Sequence, residues 1–458
     1  MKDFDTSISQ ILDCTFPSPL QFAGRDPTAT IRYRQDSDRV NVYPCKKEGE
    51  TDTIGPTFQR AGPRQWITGD PARMTAAIVT CGGLCPGLND VIRGLVMSLS
   101  HHYGVKKILG VRYGYAGLAS GGLPPMELTP DLVDDIHRDG GTILGTSRGR
   151  QDVPTMAQTL LSWNVNMLFV IGGDGTQRGA LELTDEFRRL DKPVAVIGIP
   201  KTIDNDILWI DHSFGFDTAV KVAAQVVNDA HAEAKSAERC IGLVKVMGRG
   251  SGFIAAYSAL ASLEANAVLV PEVPFSLDEA GGLLAFLDTR MREKNHAVIV
   301  VAEGAGQEHF EDHGNQKKTD ASGNKLNRNI GDLLCNKIHA YFNAKGEPVN
   351  IKYLDPSYSV RSALASSTDR ILCTRLAHAA VHAAMAGKTG MMVSHWTRHY
   401  AHVPLRMVTQ GRCKIDPTGS LWRTVLETTG QPCLSAATIS TPCYRSSECT
   451  LGTPSLWD

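Results

Sequence analysis

Short apolar runs alternate with helix-length amphipathic segments from Met74 to about Gly430. In chain order the runs read AAIVT, KKILGV, VNMLFVI, PVAVIGI, IGLVKV, NAVLV, AVIVVA and TGMMV. Strands that are apolar along their whole length are typical of a parallel sheet with helices on both faces. The pattern therefore predicts an α/β protein with a doubly wound, mainly parallel architecture.

Two parts of this pattern share one layout of strand, Gly-rich turn and helix start. They are AAIVTCGGLCPGLNDVIRGLV and GLVKVMGRGSGFIAAYSALAS, about 165 residues apart, and they predict two Rossmann-like domains with a sheet each. Residues 1–73 are polar, broken by Pro and Gly and without periodicity, which predicts an N-terminal extension before the first core. Residues 431–458 are rich in Ser, Thr and Pro, which predicts a mobile C-terminal tail.

The charge balance narrows the class of ligand. The chain has 458 residues and a formal net charge of −1, so it lacks the basic surface that nucleic-acid and anionic-membrane binders need. We therefore expect neither as a partner, and we expect small anions held by locally placed Lys and Arg.

The compartment is predicted from cysteines and from the N-terminal stretch. The 11 cysteines are scattered and show no zinc-type spacing, which favours reduced thiols. No apolar run is long enough to span a membrane, and the first residues resemble neither a signal nor a transit peptide. A cytoplasmic location is the expectation.

Two Gly-rich turns are candidates for phosphate binding. Gly82, Gly83 and Gly87 separate a strand from a helix opening near Leu88, where free amide groups and the helix dipole both favour an anion. MGRGSGF repeats the layout and adds Arg249, whose planar guanidinium binds two oxygens at once. A tight turn with glycines for packing explains the first stretch equally well.

Asp174, in IGGDGTQRGA, follows a strand and two glycines, at the edge of the sheet where α/β proteins bind ligands. A carboxylate there repels a phosphate unless a cation lies between them, and Mg²⁺ is the cation that carboxylates and phosphate oxygens share. The alternative is that Asp174 caps a helix that begins near Gln177.

PKTIDNDI follows the next apolar run and reaches the same edge with Lys201, Thr202, Asp204 and Asp206. Aspartates two apart in an extended segment point to opposite sides, so one can face a metal and the other a second substrate. That division suits phosphoryl transfer. A polar loop of Asx turns is the alternative when this stretch is taken alone.

Seven stretches together resemble the phosphofructokinase family: VTCGGLCPGLNDVIR, GGTILGTSRGR, VIGGDGTQRGA, GIPKTIDNDI, VKVMGRGSGFIAA, VPEVPF and KYLDPSYSVRS. The resemblance covers residues 74–430, and AGPRQWI, CGGLCPGLN and ETTGQP narrow it to the ATP-dependent members of plants and related lineages. It implies the phosphofructokinase fold and a glycolytic kinase under allosteric control, with fructose 6-phosphate and ATP as substrates. It also implies two subdomains: a donor side at about 74–214 plus 361–395, and a sugar-phosphate side at about 215–360 plus the remainder.

Carried over to this chain, the resemblance assigns the chemistry to three aspartates. Asp204 is expected to accept the proton of the 1-hydroxyl of fructose 6-phosphate, and Asp174 and Asp206 are expected to hold Mg²⁺. An aspartate with the ordinary pKa of about 3.9 is ionised at neutral pH, so Asp204 is expected to need no special environment.

The resemblance also implies three sets of site residues. The catalytic set is Asp204, Thr202 and Arg148. The donor-binding set is Gly83, Arg148, Gly173, Asp174, Gly175, Thr176 and Lys201. The sugar-phosphate set is Thr202, Asp204, Met247, Gly248, Arg249, Glu272, Lys352, Tyr358 and Arg361.

Lys352 is the residue from which an oligomeric assembly is expected. It matches a basic family position that reaches the phosphate bound by a neighbouring subunit, so a homodimer or homotetramer is expected. The bacterial pattern has an arginine at the position of Cys240, and Arg239 lies one place away.

Two positions bear on the phosphoryl donor. Gly175 leaves room for an α-phosphate, where pyrophosphate-dependent members carry an aspartate. Lys201 is the residue found in pyrophosphate users, so it indicates the opposite choice. The combination resembles plant and trypanosomatid ATP users and favours ATP. A pyrophosphate-dependent enzyme is one alternative. The other is a non-catalytic regulatory subunit, which is expected to lack one of the three aspartates.

Overall fold

The computed structural model describes residues 5–20, 32–43, 55–310 and 326–434. The strands in these ranges are β1 (Ser9–Gln10), β2 (Phe16–Pro17), β3 (Arg39–Asn41), β4 (Thr57–Arg60), β5 (Trp66–Ile67), β6 (Thr75–Thr80), β7 (Lys107–Val111), β8 (Met126–Glu127), β9 (Met167–Gly172), β10 (Ala195–Pro200), β11 (Cys240–Val246), β12 (Ala267–Leu269), β13 (His296–Ala302), β14 (Asn350–Leu354), β15 (Lys388–Thr389), β16 (Met391–Trp396) and β17 (His399–Pro404).

The α-helices are α1 (Leu88–Met97), α2 (Pro130–Val133), α3 (Val153–Ser162), α4 (Asp174–Arg189), α5 (Phe216–Ser236), α6 (Phe253–Ser262), α7 (Leu283–Lys294), α8 (Ile330–Ala344), α9 (Ser357–Ser362), α10 (Ser367–Met385), α11 (Leu405–Val408) and α12 (Ser420–Thr429). Helix α1 continues as a π-helix over Ser98–Tyr103, and 3-10 turns lie at Pro71–Arg73, Gly114–Leu118, Ile136–Arg138 and Gln307–His309. None of the helices in the described ranges is both long and apolar enough to cross a membrane.

The larger sheet has nine strands in the order β3-β4-β17-β16-β10-β9-β6-β7-β8. Its centre, from β16 to β7, is parallel, and antiparallel pairs extend it at both edges. Strands β6, β9 and β10 are buried at every position, which is why they read as unbroken apolar runs. Helices α1 and α10 pack together on one face, and α3 and α4 on the other.

The smaller sheet has four parallel strands in the order β12-β13-β11-β14. Helices α5 and α6 pack on one face, and α7 and α8 contact the sheet through a separate buried cluster. All eight apolar runs are strands, and the chain forms two main parallel sheets, so the doubly wound α/β prediction is confirmed.

Strands β3 and β4, in the described part of the first 73 residues, belong to the larger sheet, whereas β1 pairs with β15 and β2 with β5 in separate two-stranded sheets. Strand β4 pairs with β17, and Val40, Val42 and Phe58 are buried. The ring of Phe58 packs edge-on against two tryptophans of the core. This stretch therefore completes the larger sheet instead of preceding it as a separate extension.

The C-terminal part of the chain holds a short helix, a long helix and the described part of the predicted tail. Arg361 lies on the short helix α9, which ends at Ser362, and the long helix α10 begins after Ser366. The Ser366 side chain caps α10 by accepting a hydrogen bond from the Asp369 amide. Of the predicted tail, Gln431 bonds the Val268 backbone and Leu434 is buried, and residues 435–458 lie outside the described ranges.

Candidate active site

A cleft of about 490 Å³ opens where the carboxyl ends of both parallel sheets meet. Loops after β6, β9 and β10 form one wall, and loops after β11 and β13 form the other. The predicted residues that line it are Gly83, Arg148, Gly173, Asp174, Gly175, Thr176, Lys201, Thr202, Asp204, Asp206, Met247, Arg249 and Arg361. The strand-end position inferred from the apolar runs is what brings them together.

The Gly-rich loop after β6 is held against Lys201. Gly82 and Gly87 have φ angles of 90° and 98°, which side chains rarely adopt, and Gly87 caps α1. The Lys201 side chain is buried, and its Nζ donates a hydrogen bond to the carbonyl of Gly83 at 2.6 Å. Burial lowers the pKa of Lys201. Arg148 is exposed and lies beside Gly83 at the cleft.

The start of α4 faces the cleft directly. Gly173 is the N-cap residue and Asp174 is the first helical residue, so the interpretation of Asp174 as the cap of a helix beginning near Gln177 is wrong. A Cβ built on Gly175 meets no atom within 4 Å. The backbone amides and the helix dipole at this end are therefore open to an anion in the cleft.

Asp174 and Asp206 share one arginine. An oxygen of Asp174 accepts hydrogen bonds from Arg412 at 3.3 and 3.4 Å and pairs with Arg178 at 3.1 Å. Asp206 accepts a hydrogen bond from the Thr202 hydroxyl at 3.0 Å and lies 3.8 Å from Arg412. The other oxygen of Asp174 is buried without a hydrogen-bond partner in the described residues.

These carboxylates fit Mg²⁺ by their chemistry, since hard oxygen ligands and one orphaned buried oxygen are present. Across the described ranges no group of three or more His, Cys, Asp or Glu side chains is arranged to hold a metal. A magnesium site here would therefore take its remaining ligands from substrate phosphate oxygens and water, as Mg²⁺ in nucleotide sites usually does.

Asp204 lies beside them in a different environment. Burial, and then the neighbouring charge of Asp206, raise the pKa of Asp204 to about 7. The expectation of an ordinary carboxylate pKa is therefore wrong, because sequence alone does not show that this side chain is enclosed. One of its oxygens has no hydrogen-bond partner within the described part of the chain.

The backbone around Asp204 is bent and not extended, which corrects the argument that Asp204 and Asp206 alternate sides of a straight segment. Asn205, between them, has a φ angle of 52°. Its side chain holds this conformation by accepting from the Ser213 amide at 2.8 Å and donating to the Asp211 carbonyl at 3.2 Å. Both aspartates consequently line the same cleft.

On the opposite wall, Glu272 is not among the residues that line the cleft. Its carboxylate accepts hydrogen bonds from the amides of Gly252 and Ile415, both at 3.0 Å. Gly248 is not among the lining residues either; its φ angle of 131° lets the turn between Met247 and Arg249 form. One Glu272 oxygen thus satisfies the N-terminal end of α6, and the other is buried without a hydrogen-bond partner in the described residues.

Five charged lining residues were missed: Arg150, Arg178, Glu182, Glu303 and Arg412. Glu303 follows β13 directly, so the signal that identified Asp174, an acidic residue just after an apolar run, could have found it. Arg412 lies in a loop after α11 with no motif or periodicity, and no sequence signal points to it. The charge of Glu303 also helps to raise the pKa of Asp204.

Lys352 and Tyr358 lie outside the main cleft. Lys352 is on β14, at the edge of the smaller sheet, and Tyr358 is 85% exposed. Tyr358 and Arg361 line an adjoining hollow of about 400 Å³ that also reaches the Gly-rich loop. Arg239, next to Cys240, is paired with Glu347 at 3.0 Å.

Comparisons with known proteins give one consistent result. The model of the phosphofructokinase family matches residues 75–384. A protein of Amycolatopsis methanolica named ATP-dependent 6-phosphofructokinase is 48% identical over 436 residues, 93% of this chain and 95% of that protein. ATP-dependent 6-phosphofructokinase 1 of Arabidopsis thaliana is 44% identical over 424 residues, 91% of this chain and 88% of that protein.

Among solved structures, a pyrophosphate-dependent phosphofructokinase from Marinobacter aquaeolei aligns with a TM-score of 0.65 at 22% identity, covering 81% of this chain and 94% of that one. At this identity the likeness bears on the fold alone.

Proposed function

The chain belongs to the phosphofructokinase family, and from this premise we propose that it is an ATP-dependent 6-phosphofructokinase. It transfers the γ-phosphoryl group of ATP to the 1-hydroxyl of fructose 6-phosphate, giving fructose 1,6-bisphosphate and ADP in glycolysis. The observation that carries the proposal is the convergence of Asp174, Asp204 and Asp206 on one cleft beside the open start of α4. The predicted family and fold are confirmed.

Each aspartate has a distinct part in the proposed reaction. Asp204 accepts the proton as the 1-hydroxyl attacks the γ-phosphorus, since its oxygen is held in the cleft without another partner among the described residues. The Thr202 hydroxyl donates to Asp206 and accepts from the Asp204 amide, so it positions both side chains. Mg²⁺, which Asp174 and Asp206 would hold, supplies positive charge to the donor phosphates when bound.

The cationic side chains of the cleft hold phosphate groups. Arg148 lies next to the Gly-rich loop on the donor wall, and Arg249 and Arg361 approach from the sugar-phosphate wall. Planar guanidinium groups bind phosphate oxygens in pairs and orient the reacting groups in line.

The choice of ATP is supported at Gly175 and Lys201. The space beside Gly175 is open, so an α-phosphate and nucleoside have room there. The Lys201 ammonium is bonded to the Gly83 carbonyl, so its charge is partly engaged by the protein itself. The relatives at 44–48% identity also carry ATP in their names, whereas the pyrophosphate-dependent structure supports only the shared fold.

A coupled assay with fructose 6-phosphate and Mg²⁺ and with either ATP or pyrophosphate tests the donor. We expect turnover with ATP. We expect Gly175→Asp to lose about 10³-fold in kcat/KM for ATP, because two like charges about 4 Å apart cost about 4 kcal/mol at an effective dielectric of 20. Preference for pyrophosphate in the wild type, or an unchanged ATP rate in the variant, would contradict the donor choice.

Asp204→Asn tests the base. The variant keeps the shape of the side chain and removes the proton acceptor, so kcat falls by about 10²- to 10⁴-fold while fructose 6-phosphate still binds. A variant with more than a tenth of wild-type kcat would refute the assignment. Absence of turnover in the wild type with either donor would instead favour a regulatory subunit.

The enzyme works as a homo-oligomer in this proposal. Lys352 lies on an edge strand away from the cleft of its own chain, which is consistent with service to a neighbouring subunit. Sedimentation at assay concentrations measures the assembly, and a fully active monomer would exclude this role. The cytoplasmic location stays a prediction.

A further inference from the structure

Arg412 bridges the two carboxylates assigned to the metal. Its guanidinium lies 3.3 Å from an oxygen of Asp174 and 3.8 Å from an oxygen of Asp206. The side chains of Asp174 and Asp206 are only 8% and 12% exposed, so bulk water does little to screen their charge. A positive charge between two such carboxylates is expected on electrostatic grounds, and here the chain itself supplies it.

The backbone next to Arg412 is fixed from both walls of the cleft. The amide of Cys413 donates a hydrogen bond to the Asp206 carbonyl at 2.8 Å. The amide of Ile415 donates to Glu272 at 3.0 Å, on the other wall. Arg412 is therefore attached to the loop that carries Asp206, while its side chain is 37% exposed and borders the open cleft.

We propose that Arg412 is a resident counter-cation that competes with the divalent metal for Asp174 and Asp206. The inference rests on the metal role given to these two aspartates under the proposed function. Arg412 contacts one oxygen of each carboxylate, and the second oxygen of Asp174 has no hydrogen-bond partner in the described residues. A divalent ion that bridges the two carboxylates must enter directly beside this guanidinium, and the two positive charges repel. Metal binding is therefore expected to move Arg412 away from the carboxylates, so that the free enzyme binds metal weakly and the displaced guanidinium stays beside the donor phosphates.

The test measures binding of Mn²⁺ alone to metal-free enzyme, by electron paramagnetic resonance of the unbound ion. We expect Arg412→Gln to lower the Mn²⁺ dissociation constant about fivefold to tenfold, because a partly exposed ion pair with two partners is removed. Arg412→Lys keeps the charge but replaces the planar guanidinium with a single ammonium, so its Mn²⁺ dissociation constant is expected to lie between those of the wild type and Arg412→Gln. Unchanged or weaker Mn²⁺ binding in a folded Arg412→Gln variant would overturn the proposal.

Arg178→Gln is the matched control. Arg178 pairs with the same oxygen of Asp174 but is 55% exposed and bonds from within α4, so its loss is expected to change the Mn²⁺ constant less than about threefold. An effect as large as that of Arg412→Gln would show that any nearby charge matters equally, and would contradict a specific role for Arg412.

A second measurement needs no variant. Arg412 released from its carboxylates should react faster with phenylglyoxal, so modification of the wild-type chain, located by mass spectrometry, is expected to increase at Arg412 with Mn²⁺ concentration. A decrease or no change would overturn the displacement. Asp174→Asn separates the two hypotheses: if it binds Mn²⁺ as the wild type does, the metal site of the proposed function is wrong, and the competition falls with it.

Discussion

Asp174 and Glu272 each lie at the N-terminal end of a helix that follows a glycine-rich turn, and they have different surroundings. Asp174 opens α4, lines the cleft and is paired with two arginines. Glu272 stands at the start of α6, outside the cleft lining, and accepts hydrogen bonds from the backbone amides of Gly252 and Ile415. Both sites satisfy the helix dipole with a negative charge.

The difference teaches that a glycine-rich helix start does not by itself make an anion site. At α6 the amide of Gly252 already donates to an internal carboxylate, so this amide is not available to a phosphate. At α4 the carboxylate is turned towards arginines and the neighbouring Gly175 is open. The charge of Asp174 at α4 faces the cleft, whereas the charge of Glu272 at α6 accepts hydrogen bonds from the backbone.

Asp174→Asn should produce the largest effect. In the proposed function Asp174 holds the metal, and loss of such a ligand removes several kcal/mol of charge stabilisation in the transition state, so kcat/KM is expected to fall about 10³-fold. Glu272→Gln is the comparison variant, and its kcat/KM is expected to stay within about threefold of wild type. Glu272 lies outside the cleft lining, so loss of its charge is expected to cost less than about 1 kcal/mol at the cleft. Steady-state kinetics on folded protein decides, and comparable losses in both variants would break the contrast.

Gly252→Ala should produce the second largest effect, a lower free energy of unfolding. A Cβ at Gly252 would lie 2.3 Å from the Val270 side chain and 3.0 Å from a Glu272 oxygen. Overpacking of this kind typically costs about 1–3 kcal/mol, measurable as a lower midpoint of urea unfolding. An unchanged midpoint would mean that α6 and β12 separate more easily than their packing indicates.

The next largest effect is expected in the pH dependence of stability, compared between the wild type and Glu272→Gln. Burial raises the pKa of Glu272 in the folded chain above its ordinary value, so the folded state binds this proton more readily than the unfolded state. As pH falls through the raised pKa towards about 4.5, the wild type should therefore gain stability over Glu272→Gln, by at most about 1.4 kcal/mol per pH unit. Urea unfolding of both proteins across this window gives the difference. A relative loss on acidification would reverse the sign.

Gly175→Ala should have the smallest effect on folding. The methyl group meets open space at the start of α4, and alanine is the better helix former, so the free energy of unfolding should rise by up to about 0.5–1 kcal/mol. The same urea titration, with Gly252→Ala beside it, measures the contrast. A lower free energy of unfolding in Gly175→Ala would show that the methyl group meets neighbouring atoms at the start of α4, and would contradict this prediction.

The sequence was sufficient to predict the central strands of both sheets and the convergence of the three aspartates on one edge. Strands β6, β9 and β10 are buried on both faces, so every position had to be apolar and the runs stood out. Asp174 and the loop with Asp204 and Asp206 follow neighbouring parallel strands, whose carboxyl ends necessarily share an edge.

The features that could not be predicted from the sequence depend on contacts between residues that are distant in the chain. Strand β4 has only four residues, with Phe58 and Gln59 buried, and its pairing with β17 bridges more than 300 positions. Arg412 reaches Asp174 across 238 positions, and nothing local marks it. The raised pKa of Asp204 arises mainly from enclosure by such remote segments, so no local pattern could have predicted it.

The order in which the two sheets gather their strands has a consequence for synthesis on the ribosome. All strands of the smaller sheet lie between Cys240 and Leu354, whereas β10 must wait for β16, which begins at Met391. We expect a stalled nascent chain ending near residue 365 to protect the smaller sheet from protease and to leave residues 195–200 sensitive. Until translation passes β16, the apolar edge of β10 is open to wrong partners, and it is the part of this chain that a chaperone would need to cover.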